Sequence, residues 1–231
     1  MNREAARAHD SIDWARVRED FPVLKRQVHG KPLVYLDSAN TGQKPAVVID
    51  TVDDFFRNHN ANVSRAVHAL GSEATEAYEG ARAKLAKFLN VRGDELVLCS
   101  GTTFAINLVA YSWALPRLQP GDAILVSRME HHANIVPWQL VAERTGATIK
   151  VADITPEGVL DLDALDKAMT GEVKVLAVTH VSNVLGTVNP VREICRMARK
   201  RGIATLVDGS QALPHMAVDI AAIAKVRNLL L

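Results

Sequence analysis

Four short polar runs in this sequence carry residue types that can do chemistry, and each directly follows an apolar stretch. Ser100-Gly-Thr-Thr103 joins a flexible glycine to three hydroxyls. At the start of a helix, Gly101, Thr102 and Thr103 would form a small cup for an anion such as phosphate. Free backbone N–H groups and the helix dipole would face the ligand there. The same residues also serve as ordinary helix caps. Ser127-Arg-Met-Glu-His131-His132-Ala-Asn134 offers two adjacent histidines. Neighbours on an extended chain point opposite ways, and the sequence has no His-Glu-x-x-His, so no metal site is expected. His131 suits a general acid/base or a ring-stacking role, with a surface histidine pair as the plain alternative. In Thr179-His-Val-Ser182-Asn183-Val-Leu-Gly186, Asn183 could orient a polar ligand through its amide or simply form a turn. Asp208-Gly-Ser-Gln211 sets a carboxylate directly behind an apolar run. It is poised to accept a charged hydrogen bond, or to cap the next short helix.

These runs need elements to position them, and the hydrophobic pattern supplies strands alternating with helices. Strands are expected at residues 33–36, 95–99, 123–126, 149–152, 173–178 and 203–207. Helices are expected at 11–20, 45–58, 72–89, 102–114, 135–144, 162–169 and 191–201, the last stopped by Gly202. In the helix over 72–89, Ala74, Ala77, Tyr78, Ala81, Leu85 and Phe88 recur at spacings of three and four. Several strands are unbroken apolar runs, which suits a mostly parallel sheet covered by helices on both faces. The predicted fold class is therefore α/β. In such folds ligands bind beyond the carboxyl ends of the strands, where the four polar runs fall.

Composition sets outer limits. The 231 residues are 48% hydrophobic and 23% charged, a globular balance. Twenty-seven basic against 26 acidic residues give a formal charge of +1, so neither nucleic acid nor an anionic membrane is expected as a partner. Two cysteines, Cys99 and Cys195, do not make a disulfide scaffold, and both are expected to be small core residues. The N-terminus lacks a signal-peptide core, and no apolar run approaches the ~18 residues of a membrane span. A cytoplasmic location is expected.

A phosphate cup, a carboxylate, a group to lie over a ring and an amide donor together suit pyridoxal phosphate. The order of longer runs then becomes specific: Leu36-Asp-Ser-Ala39, Gln43-Lys-Pro45, Gly101-Thr-Thr103, Ile106-Asn-Leu-Val109, Met129-Glu-His-His-Ala-Asn-Ile-Val-Pro-Trp138, Thr179-His-Val-Ser-Asn-Val-Leu-Gly186 and Val207-Asp-Gly-Ser-Gln211. The sequence resembles the SUF-type cysteine desulfurases of the class V aminotransferase group over roughly residues 12 to 220. The resemblance implies a fold type I large domain and pyridoxal 5′-phosphate as cofactor. It implies phosphate binding by Gly101, Thr102 and Thr103, ring stacking and proton transfer by His131, and cofactor or substrate contact by Asn183. It further implies that Asp208 pairs with the pyridine nitrogen and that Gln211 reaches the phenolic oxygen. The implied reaction turns L-cysteine into L-alanine and an enzyme persulfide that feeds iron–sulfur cluster assembly. A homodimer and a sulfur-acceptor protein are the implied partners.

The sequence also departs from that family. The family's cofactor-binding lysine follows the acid by roughly two dozen residues in a Gly-His-Lys turn. Here no Gly-His-Lys occurs, and the only lysine after Asp208 is Lys225. Phe104 and Ser64-Arg65 stand where many relatives carry an acid and His-Arg. The expectation is a C-terminally truncated desulfurase. It would comprise an N-terminal segment, 1–44, and an incomplete cofactor-binding domain, 45–231. It would lack the small C-terminal domain, with its nucleophilic cysteine and substrate-binding arginine, and would be inactive alone. A non-catalytic phosphate-binding or subunit-pairing fragment and a selenocysteine lyase are the alternatives.

Overall fold

Apolar runs without alternation must be buried on both sides, and the central strands meet that demand. The computed structural model describes residues 12–224 and 228–230; Lys225 lies outside the described residues. The chain divides into two compact units after Gly80.

The first unit is built from short elements. Helix α1, Trp14–Glu19, is capped by Asp13, whose carboxylate accepts the Arg16 N–H at 3.1 Å. A 3₁₀ turn at Pro22–Lys25 follows. The antiparallel pair β1, Gln27–Val28, and β2, Lys31–Pro32, closes through His29 and Gly30 at φ 52° and 73°. Two successive left-handed residues are what a two-residue hairpin turn requires. Helix α2, Ala46–Asp54, continues into a π turn at Phe55–His59, and helix α3, Ala69–Leu89, begins here.

The second unit holds a five-stranded parallel sheet. In chain order its elements are α4, Thr102–Val109, extended by a π turn at Ala110–Ala114; β3, Ala123–Ser127; a 3₁₀ turn at His132–Asn134; α5, Val136–Thr145; and β4, Thr148–Ala152. Then come α6, Leu162–Ala168; β5, Val173–Thr179; α7, Val191–Lys200; β6, Ala204–Asp208; α8, Ile220–Ala224; and β7, Asn228–Leu230. The strand order is β4-β3-β5-β6-β7. Side chains alternate across the sheet. On one face Ile124, Val126, Val175, Ala177 and Leu206 pack with Ile106, Ala110, Trp138 and Val141 of α4, its π turn and α5. On the other, Leu125, Leu176, Val178 and Val207 pack with Leu165, Val191, Ile194, Cys195 and Ala198 of α6 and α7. The α/β class with helices on both faces is thus the observed one. Edge strand β4 is the least buried of β3 to β6, as its position demands.

Helix α7 shows how the pattern fixes an element. Val191, Ile194, Cys195 and Ala198 recur at three and four and are buried. Gly202, at φ 71°, ends it: the Gly202 N–H reaches Arg199 O at 2.9 Å and the Ile203 N–H reaches Ala198 O at 3.0 Å. This pair of bonds satisfies carbonyls that the helix end leaves open.

Two expected strands do not form. Residues 33–36 and 95–99 pair with no strand among the described residues, Glu95 ending a 3₁₀ turn instead, and Val34, Leu36 and Val97 are exposed. An apolar run becomes a strand only where a neighbour takes its backbone hydrogen bonds. Cys99 is consequently exposed and not a core residue, whereas Cys195 is buried and burial pushes its thiol up to about 12.

Two glycines separate backbone strain from crowding. Gly146 ends α5 at φ 74°, and a Cβ there would lie 3.0 Å from Pro120 Cγ. Gly202 has a similar φ, 71°, and open space around it. Gly202→Ala is expected to lose about 1 kcal/mol from left-handed strain alone. Gly146→Ala should lose about 1–2 kcal/mol more, because the proline ring must also yield. Denaturant midpoints of the two variants check this; equal shifts would mean that Pro120 moves freely.

Candidate functional site

The carboxyl ends of β3, β5 and β6 lie side by side, and the start of α4 joins them. Gly101 caps α4 with φ 148° and without a side-chain capping bond, so Thr102 and Thr103 open the helix with their N–H groups forward. Asp208 closes β6 and is only 5% exposed. Its Oδ1 accepts the Ser210 N–H at 2.9 Å, and the Ser210 hydroxyl lies 2.6 Å from the same oxygen. That hydroxyl is also 2.9 Å from Thr102 Oγ1. One serine therefore links the buried acid to the start of α4. Gln211 follows at a half-buried position.

His131 stands at the start of the 3₁₀ turn after β3 and is exposed. Its Nδ1 accepts the Ala133 N–H at 3.1 Å, so the neutral ring carries its hydrogen on Nε2. His132 packs edge-to-face against it with ring centroids 5.8 Å apart. The turn packs on α4. Asn183 is exposed in a tight turn after β5. There the Gly186 N–H bonds Ser182 O and the Leu185 N–H bonds Ser182 Oγ.

Sequence reasoning passed over the buried network beneath His131. Glu130 is 8% exposed. One carboxylate oxygen accepts the Ser127 hydroxyl and the Thr179 N–H, the latter at 2.9 Å; the other accepts Asn134 Nδ2 at 2.7 Å. Trp138 Nε1 donates to Asn134 Oδ1 at 2.9 Å, and Asn134 and Trp138 are both fully buried. Burial, with a smaller contribution from the Asp208 charge, pushes the Glu130 carboxyl up to about 7, against the pull of its three donors. Glu130, Asn134 and Trp138 come from three successive pieces, the turn after β3, the 3₁₀ turn and α5, so no single helical face announces them. Across the strand end, the His180 N–H bonds Asp208 O at 2.9 Å, and burial lowers the pKa of the His180 ring.

The arrangement sets the open N–H groups of a helix start beside a buried acid, with an exposed imidazole on the turn after β3. No helix among the described residues is long and apolar enough to cross a membrane. The chain is 72% identical over 213 residues to a probable cysteine desulfurase of Xylella fastidiosa (strain Temecula1), covering 92% of this chain and 51% of that protein. Among solved structures it matches the cysteine desulfurase CsdA of Escherichia coli, in its S-sulfonic acid form, with a TM-score of 0.81 and 37% identity. That match covers 92% of this chain and 52% of the other. It also matches the apo cysteine desulfurase of Thermococcus onnurineus NA1 with a TM-score of 0.84 and 32% identity, over 91% and 50% of the two chains. The chain thus spans about half the length of these relatives. Residues 34–224 match the aminotransferase class-V family, and with most of its length inside that match the chain belongs to this family.

Proposed function

We propose that this chain is the cofactor-binding half of a pyridoxal-phosphate-dependent cysteine desulfurase. The observation that carries the reading is the link from Asp208 through Ser210 to Thr102. The cofactor combines a phosphate with a pyridine nitrogen, and this donor set suits both ends: an anion cup and a buried acid, one hydroxyl apart.

Gly101, Thr102 and Thr103 would hold the phosphate through N–H groups and hydroxyls. Asp208, itself fixed by Ser210, would keep the ring nitrogen protonated, because a nearby opposite charge favours the charged form. Gln211 would reach the phenolic oxygen, and Asn183 the cofactor or substrate. When bound, the protonated ring supplies an electron sink for the substrate carbanion. His131, with Nδ1 occupied by the Ala133 N–H, has Nε2 left, and that atom would carry the proton in the loaded site. In the whole protein, L-cysteine and an enzyme thiol would give L-alanine and an enzyme persulfide. A sulfur-acceptor protein would receive that sulfur for iron–sulfur cluster assembly. The whole protein would be a cytoplasmic homodimer.

The sequence contains no Gly-His-Lys, so binding by this chain is expected to be weak and reversible. Spectral titration of the full chain with pyridoxal 5′-phosphate tests the reading. Asp208→Asn should weaken binding by about tenfold or more, the scale of a lost charge-assisted hydrogen bond. Pyridoxal without phosphate should bind more weakly than the phosphate ester. Indifference to both changes would refute the assignment of these residues to the cofactor.

A further inference from the structure

His131 is exposed, yet the residue before it is buried and held by three hydrogen bonds. Glu130 has one bond into each of the surrounding pieces. Ser127 is the last residue of β3, Thr179 the last of β5, and Asn134 the last of the 3₁₀ turn that His131 opens. All three partners act as donors, matched to the acceptor-only surface of the ionised carboxylate, the form that prevails above about pH 7. Their orientation is fixed as well. Asn134 cannot reverse its amide without losing Trp138 Nε1, whose indole is clamped in the core. The Thr179 N–H is backbone and cannot reverse at all.

We propose that Glu130 is the positioning residue of this site, its buried carboxylate locking the ends of β3 and β5 and the turn that presents His131 into one arrangement. The inference rests on the reading above for why the place of His131 matters, but its geometry stands apart from any cofactor. Asp208 adds its charge from β6, and the other groups on the same strand ends are His180, His131 and His132. Glu130 is therefore the acid through which the ends of β3 and β5 and the turn before α5 are coupled.

Donor and acceptor matching gives the test. Glu130→Gln keeps the shape but adds an amide. Wherever its NH₂ is placed, it faces either the Thr179 N–H or the Asn134 NH₂. Glu130→Gln/Asn134→Asp repairs the second conflict: the new amide donates to the carboxylate introduced at position 134, whose other oxygen still accepts Trp138 Nε1. The readout is the ¹⁵N spectrum of the His131 ring in the full chain. In the parent chain it should show the Nε2–H tautomer fixed by the Ala133 N–H. Glu130→Gln should lose that signature, and the double variant should regain it. Ser127→Ala, which removes one donor and no charge, should weaken it in part and serves if Glu130→Gln does not fold. A lowered melting temperature with the His131 spectrum unchanged would reduce Glu130 to a structural brace and overturn the proposal. So would a double variant no better than the single one. A parallel titration with pyridoxal 5′-phosphate separates the two ideas. If the parent chain ignores the cofactor while the His131 spectra follow this pattern, the cofactor reading fails and the positioning role stands.

Discussion

Truncation of Trp138 to alanine is expected to destabilise the second unit by about 3–5 kcal/mol. The indole is fully buried among Ile106, Ile124, Val141 and Ala177, so its removal leaves a cavity that rigid strands cannot close. Part of the loss is polar. Trp138 Nε1 is the group that fixes Asn134 Oδ1, and Asn134 in turn holds Glu130. Trp138→Phe separates the two contributions, since it keeps most of the apolar volume and deletes the donor. It should lose about 1–3 kcal/mol for a buried acceptor left unpaired, besides a smaller packing change. Chemical denaturation followed by circular dichroism measures both variants. A phenylalanine variant as stable as the parent would show that the Trp138–Asn134 bond does not brace the site.

Glu130 should also write its burial into the pH dependence of folding. An unfolded chain releases this proton near pH 4.5, whereas the fold holds it up to about 7. Between those values the folded state binds the extra proton, so the contribution of Glu130 to stability falls as pH rises through that window and is flat outside it. The separation corresponds to about 3 kcal/mol. His180 acts in the opposite sense, because burial lowers its pKa and its contribution grows as pH rises. Comparison of the parent with Glu130→Gln cancels His180 and the other groups that do not act on Glu130. The stability advantage of the parent over the variant should shrink by about 3 kcal/mol between pH 4.5 and 7, and then hold level. Parallel curves across that window would mean that Glu130 is ionised and well solvated in the fold.

Legibility in the sequence followed the range of the interactions. Residues 191–200 declare α7 because Val191, Ile194, Cys195 and Ala198 carry the period themselves and Gly202 supplies the stop. The central strands β3 and β5 were readable for a similar reason, since burial on both faces leaves an unbroken apolar run. Residues 33–36 and 95–99 carry the same local signal, but a strand also needs a neighbour, and nothing in the adjacent residues says whether one will arrive. The site divided in the same way. Gly101, Thr102, Thr103 and Asp208 stand at element ends where a polar run after an apolar one marks them. Ser210 was read only as part of a run, because its partner Thr102 is 108 residues away. Glu130 was hidden more deeply. Beside two histidines it reads as one more surface charge, and its burial follows only when Ser127, Asn134 and Thr179 converge from separate elements.

The strand order β4-β3-β5-β6-β7 also sets a timetable for a nascent chain. Once β3 and β4 have paired, each later strand joins at one free margin: β5 beside β3, β6 beside β5, β7 beside β6. No strand has to wedge itself between two that are already joined, so the sheet can grow in the order the ribosome delivers it. The acid, however, comes late. Thr102 precedes Ser210 by 108 residues, and at about 5–20 residues per second the cup must wait about 5–20 s for the serine that ties it to Asp208. During that interval the start of α4 has no Ser210 to bond, and its link to Asp208 forms only when the fourth strand of the sheet has been made.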